Sequence, residues 1–133
     1  MFLAKDLELN KKVAVKKMSN YSEKEKRMNM SEVYFLSKSQ HNNVVVFHKS
    51  LSIVNLSEMW VVMEFLEGGT LTDAVRNGYT FTEKQVAYAA RELLHAISFL
   101  HSQQICHRDI KSSNVKIYFL FLFYLFIYFF SRS

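Results

Sequence analysis

The stretch His107-Arg108-Asp109-Ile110-Lys111-Ser112-Ser113-Asn114 decides how this chain is read. An acid at 109 can accept the proton of a substrate hydroxyl. A lysine two residues on can neutralise a phosphoryl group in transfer. An asparagine five residues after the acid can ligate a divalent ion from the same loop.

Working outward from that loop, Val86, Ala90, Leu93, Leu94, Ile97 and Leu100 fall on one helical stripe. Thr82 and Gln85 form a capping box before it, so a helix is expected to run to about His101. Thr70 and Asp73 cap a shorter helix ending near Gly78. Glycine occurs only at 68, 69 and 78 and proline is absent, which places the one flexible break at Gly68-Gly69.

Upstream of the break the period changes. Val13-Ala14-Val15-Lys16-Lys17-Met18 alternates and is rich in β-branched residues, as a strand is. Residues 44–47, 51–54 and 59–64 also read as strands, with a turn at 55–57. Residues 22–39 read as a helix: Ser22 and Glu25 form a capping box, and Met30, Val33 and Leu36 or Ser37 share a face. No internal repeat is visible.

The loop at 107–114 resembles the catalytic loop of protein kinases, H-R-D-x-K-x-x-N, with every specified position matched. Lys111 is the variant of Ser/Thr rather than tyrosine kinases. Val13-Ala14-Val15-Lys16 resembles the kinase strand that carries the ATP-binding lysine. Period-two geometry puts Ala14 and Lys16 on one face, so a small residue can roof the adenine while the ammonium reaches phosphates. A lysine ending a surface strand is the bland account, and the order of elements favours the functional one. Glu32, mid-helix, stands where kinases place the carboxylate that pairs with that lysine, and Leu36 lies on its face; the competing account is a solvated helical glutamate. Residues 59–73 resemble a kinase hinge and the helix after it. That resemblance makes Met63 the gatekeeper and gives adenine the backbone of Glu64 and Leu66. Trp60-Val61-Val62-Met63-Glu64, Gly68-Gly69-Thr70-Leu71-Thr72-Asp73 and Asp109-Ile110-Lys111-Ser112 look most like the PAK-type branch of the sterile-20 group.

The resemblance implies an α+β fold, a partial protein-kinase-like fold incomplete at both ends. It would comprise a partial small lobe at 1–63 with an antiparallel sheet and one helix, a hinge at 64–69, and the first large-lobe helices at 70–116. The implied activity is transfer of the ATP γ-phosphoryl group to Ser or Thr hydroxyls of protein substrates, with Mg²⁺. Asp109 would be the base, Lys111 the phosphate-contacting charge, Asn114 a metal ligand, and Lys16 with Glu32 the ATP-positioning pair.

Composition narrows the alternatives. The chain has 133 residues, enough for one ordinary domain, and half of them are apolar. The net charge of +5 is scattered among acids, as in Lys24-Glu25-Lys26-Arg27, with no basic stripe, so nucleic acid is not an expected partner. Cys106 is the only cysteine, which excludes an internal disulfide and points to a reducing compartment, the cytoplasm. Cys106 is expected to be a small buried hydrophobe. The five histidines show no metal-hydrolase spacing, and His41, His95 and His101 are expected to be structural or exposed.

No Gly-rich phosphate loop precedes Val13 and no Asp-Phe-Gly follows Asn114, so these residues alone are expected to lack useful kinase activity. The alternative is a non-catalytic fragment that binds nucleotide or a partner. Lys116 stands where the family puts an apolar residue, and the 86–100 helix is expected to leave one apolar face uncovered. The tail at 117–133 opens with an unbroken aromatic and aliphatic run at 117–130 without helical or strand periodicity. That run falls short of the roughly 20 apolar residues of a spanning helix. Translation through an unspliced intron is favoured over a tail anchor, since valine codons begin with GT and the run uses residues with AT-rich codons. Membrane fractionation with and without the tail is then expected to show equal solubility; selective sedimentation of the tailed form would restore the anchor.

Overall fold

The computed structural model describes residues 1–8, 10–118 and 122–125. The chain divides into two compact units. The first comprises Met1–Gln40 and Val46–Phe65, and the second comprises His41–Val45 and the chain from Leu66 onward.

The first unit is a four-stranded antiparallel sheet with one helix. Its strands are β1 (Phe2–Asp6), β2 (Lys11–Ser19), β3 (Phe47–Ile53) and β4 (Glu58–Glu64), in the order β1-β2-β4-β3. The register pairs Ala4 with Val13, Val15 with Val62 and Ala14 with Met63. On one face Val13, Val15 and Val62 form a core against Ala4 and Trp60. Ala14, on the other face, is buried too, so the middle of β2 is covered on both sides. The sheet curls enough that Lys49 on β3 reaches Asp6 on β1, the opposite edge strand, at 2.9 Å.

Helix α1 (Glu23–Lys38) begins with the expected capping box: the Ser22 hydroxyl accepts the Glu25 N–H, and the Glu25 carboxylate accepts the Ser22 N–H. Its buried residues are Asn29, Glu32 and Leu36, while Met30 is 59% exposed. The expected Met30 face is thus replaced by one holding two polar residues, each paired: the Asn29 amide donates to the Ser19 carbonyl at 2.7 Å, and Glu32 takes Lys16. Residues 44–47 and 51–54 do not form two strands. One strand, β3, runs through polar Lys49, Ser50 and Ser52 with an irregularity near Phe47, because pairing with β4 and an edge position tolerate exposed side chains. A short 3₁₀ turn at Val54–Leu56 leads into β4.

In the second unit α2 (Leu71–Arg76) and α3 (Glu83–Ser102) start at the expected boxes, Thr70 with Asp73 and Thr82 with Gln85. The buried stripe of α3 is Ala89, Ala96 and Leu100; Val86 and Leu94, expected inside, are 55% and 64% exposed. Small alanines permit close packing, and a stripe drawn through the largest aliphatic residues misses them. A 3₁₀ turn at Ser112–Asn114 leads to β5 (Val115–Tyr118), which pairs antiparallel with β6 (Leu122–Leu125). The apolar run therefore includes strand residues; its remainder, and with it the anchor and intron accounts of the tail, lies outside the described residues. Gly68-Gly69 is more than a break. A Cβ on Gly68 would lie 2.1 Å from the Ile117 carbonyl oxygen, Gly69 has φ +70°, and its carbonyl accepts the Ile117 N–H at 3.0 Å. No helix among the described residues is long and apolar enough to cross a membrane.

Leu100→Ala is expected to destabilise the chain by about 2–5 kcal/mol, and Leu94→Ala by about 0.5 kcal/mol or less. Urea denaturation of both variants checks which face of α3 is inside.

Candidate active site

In the first unit the site begins on β2. Ala14 and Lys16 share a face, Ala14 lies opposite Met63, and Met63 is fully buried. Lys16 Nζ meets Glu32 Oε1 at 2.5 Å, with the glutamate side chain only 7% exposed. The helix register that puts Glu32 inward with Leu36 is what delivers this carboxylate. Removing one partner of such a pair strands a charge in a poorly hydrated place. Glu64 ends β4, and its N–H donates to the Val46 carbonyl at 2.9 Å, so an adenine contact at Glu64 falls to its own carbonyl. Its Oε2 is buried with no hydrogen-bond partner among the described residues.

In the second unit the loop after α3 runs inward at Ile105 and His107, both 3% exposed, and outward at Cys106. The expectation that Cys106 is buried is therefore corrected: Ile105 and His107 on either side take the inward positions. Arg108 adopts φ +62°, a left-handed conformation costing a non-glycine residue about 1 kcal/mol or more. That turn lets the Asp109 N–H donate to His107 Nδ1 at 3.2 Å. The buried Asn114 amide donates to both the Asp109 carbonyl, at 2.8 Å, and its Oδ2, at 2.9 Å. Lys111 Nζ meets the same Oδ2 at 2.9 Å. The Lys111 hydrogen bond foremost, then the Asn114 amide, hold the Asp109 carboxyl below its ordinary value, against a desolvation effect that raises it. Asp109 is consequently an ionised carboxylate at neutral pH with Oδ2 engaged.

Structure adds residues for which spacing carried no signal. The Thr72 and Ser112 hydroxyls lie 2.8 Å apart and tie α2 to the loop. Asp73, its carboxyl lowered first by the Thr70 hydroxyl and then by the Thr70 N–H, caps α2 beside them. His107 is visible in the sequence, but its use as an acceptor for Asp109 is not. Leu66 is buried in the second unit.

The fit to Mg²⁺ is partial. No group of three or more His, Cys, Asp or Glu suited to a metal occurs among the described residues. Asn114 uses its amide nitrogen on Asp109, leaving Oδ1 as the atom that can ligate, one arm of the roughly six-oxygen shell that Mg²⁺ takes.

A sheet carrying a lysine–glutamate pair, together with an Asp-Lys-Asn loop after a long helix, defines the protein kinase domain. The family model described as "Protein kinase domain" matches residues 1–118, and the chain belongs to that family. Among its curated relatives, the probable serine/threonine-protein kinase mkcE of Dictyostelium discoideum is 47% identical over 108 residues, covering 81% of this chain and 15% of that protein. The serine/threonine-protein kinase STE20 of Kluyveromyces lactis is 39% identical over 115 residues, 86% of this chain and 11% of that one. CLA4 of Saccharomyces cerevisiae is 40% identical over 111 residues, 78% and 14%. The resemblance to sterile-20-type kinases is thereby established. The chain spans only 11–15% of the length of these relatives.

Replacing Lys111 by Met is expected to move the Asp109 titration upward toward ordinary carboxylate values, as followed by carbon NMR of the carboxyl. The parent Asp109, depressed when folded, contributes stability that is present above the unfolded carboxylate value, about 3.9. That contribution is lost as pH falls through the folded value, and the variant should lose it at higher pH. An unmoved titration would remove Lys111 as the cause.

Proposed function

We propose that the kinase domain containing this chain transfers the γ-phosphoryl group of ATP to Ser or Thr hydroxyls of proteins. The observation that carries this reading is the convergence of Lys111 and Asn114 on Asp109 Oδ2. With Oδ2 engaged, Oδ1 can orient the hydroxyl and accept its proton. The hydroxyl oxygen forms a bond to the γ-phosphorus as the bond to the β–γ bridging oxygen breaks, and ADP departs. The half-exposed Lys111 ammonium can turn to the phosphoryl oxygens as their charge develops. Lys16, held by Glu32, would contact the phosphates; Ala14 and Met63 would bound the adenine, with the Glu64 carbonyl and Leu66 backbone bonding its edge. Mg²⁺, bound in part through Asn114 Oδ1, would supply charge neutralisation.

The 133 residues alone are read as catalytically dead, because the described residues offer one arm of a metal site and no glycine precedes Gly68 from which to build a phosphate loop. Nucleotide binding without transfer is the second reading, favoured by a Lys16–Glu32 pair already in place. The lone cysteine supports a cytoplasmic setting.

In the kinase that carries this segment, Asp109→Asn is expected to lower kcat by about 10² or more while the KM for ATP stays within about threefold. Retained kcat would defeat the assignment. A purified, monodisperse sample of the 133 residues is expected to give no phosphorylation above its Asp109→Asn background, and activity lost in that variant would overturn the reading of inactivity.

A further inference from the structure

Lys49 joins the two edge strands of the first unit. Its Nζ meets Asp6 Oδ2 on β1 at 2.9 Å and Glu8 Oε2, in the turn after β1, at 2.8 Å. In a flat four-stranded sheet the outer strands stand roughly 14 Å apart, three spacings of about 4.8 Å, which a lysine and an aspartate side chain do not span. The ion pair therefore exists only while the sheet is curled. The register places Ala4, Asp6, Val13, Val62 and Lys49 on one face, so the pair closes over the core on that side, where Val13 is 2% exposed.

Asp6 depends on this contact. Its side chain is 6% exposed; Oδ1 accepts the Glu8 N–H at 2.9 Å, and Oδ2 takes the lysine. Without the ammonium a carboxylate would be left where water hardly reaches, and to regain hydration the end of β1 must move away. The Glu8 carboxylate first, and Asp6 after it, raise the Lys49 ammonium above its ordinary value, so it is charged at neutral pH.

Backbone pairing is interrupted at this same end. The β3–β4 ladder is irregular between Phe47 and Lys49, beside Met63 and Val62. The next residue on β4 is Glu64, which faces Val13 on β2 and donates its N–H to the Val46 carbonyl on the other side.

We propose that Lys49 is a positioning residue: through Asp6 and Glu8 it latches the sheet in its curled form and so fixes the end of β4 at Glu64. The functional meaning rests on the phosphoryl-transfer reading, which gives the Glu64 carbonyl to adenine. The latch itself has a readout that requires no nucleotide.

The test follows amide exchange of the 133-residue chain by mass spectrometry, over Leu3–Lys5 on β1 and Trp60–Val62 in the middle of β4. Lys49→Met keeps an aliphatic stem and removes the charge. It is expected to speed exchange over Leu3–Lys5 about three- to tenfold, with Trp60–Val62 changed by less than about twofold. Lys49→Arg retains the charge and is expected to exchange like the parent. Adding Asp6→Asn to Lys49→Met removes the stranded carboxylate and should slow exchange over Leu3–Lys5 again. In the kinase that carries this segment, Lys49→Met is expected to raise the KM for ATP about three- to tenfold with kcat within about twofold, and Lys49→Arg to restore it. The proposal is overturned by unchanged β1 exchange in Lys49→Met, by Lys49→Arg behaving like Lys49→Met, by β4 loosening in step with β1, or by β1 opening that leaves KM unmoved. Failure of the phosphoryl-transfer reading would appear separately, as retained kcat in Asp109→Asn.

Discussion

The Asn114 amide donates to both the backbone and the side chain of Asp109, and this closure organises the loop at 107–114. Asn114 is 3% exposed, so its nitrogen has no water to fall back on; satisfying it within the loop is the condition for burying it. Once closed, the loop holds the Asp109 carboxylate by one oxygen and presents the other. Lys111 adds charge at the same oxygen, and the left-handed turn at Arg108 supplies the bend that brings the Asp109 N–H to His107. The cost of that unusual backbone conformation is borne at Arg108, the residue directly before Asp109.

The same rule of satisfied burial shapes the first unit. Helix α1 has a weakly apolar inner face because two of its inward positions are Asn29 and Glu32, and each finds a specific partner on or next to β2. An apolar face would bury α1 in several rotational settings at similar energy. Two directed contacts favour one setting, at the expense of desolvating polar groups, which is the use of buried polar pairs best tied to specificity. The charge on Lys16 is in this way both a structural and a candidate functional element.

The local framework follows from neighbouring residues alone. All three capping boxes, at Ser22, Thr70 and Thr82, form as their spacing dictates, because the bonds involved span three residues and need no distant partner. The strand that carries Lys16 and the eight-residue loop at 107–114 were legible because their signals are also local. Every choice of face and every long-range partner depends instead on tertiary packing. Val86 and Leu94 point outward because Ala89 and Ala96 allow closer packing than larger side chains would. Cys106 is exposed because its neighbours take the inward positions, and β3 is a strand because β4 pairs with it, despite its polar residues. The hydrogen bond from the Asn43 amide to the Glu92 carboxylate joins residues 49 apart in sequence. No periodicity encodes such a meeting, since it depends on where folded elements bring two side chains within hydrogen-bonding distance.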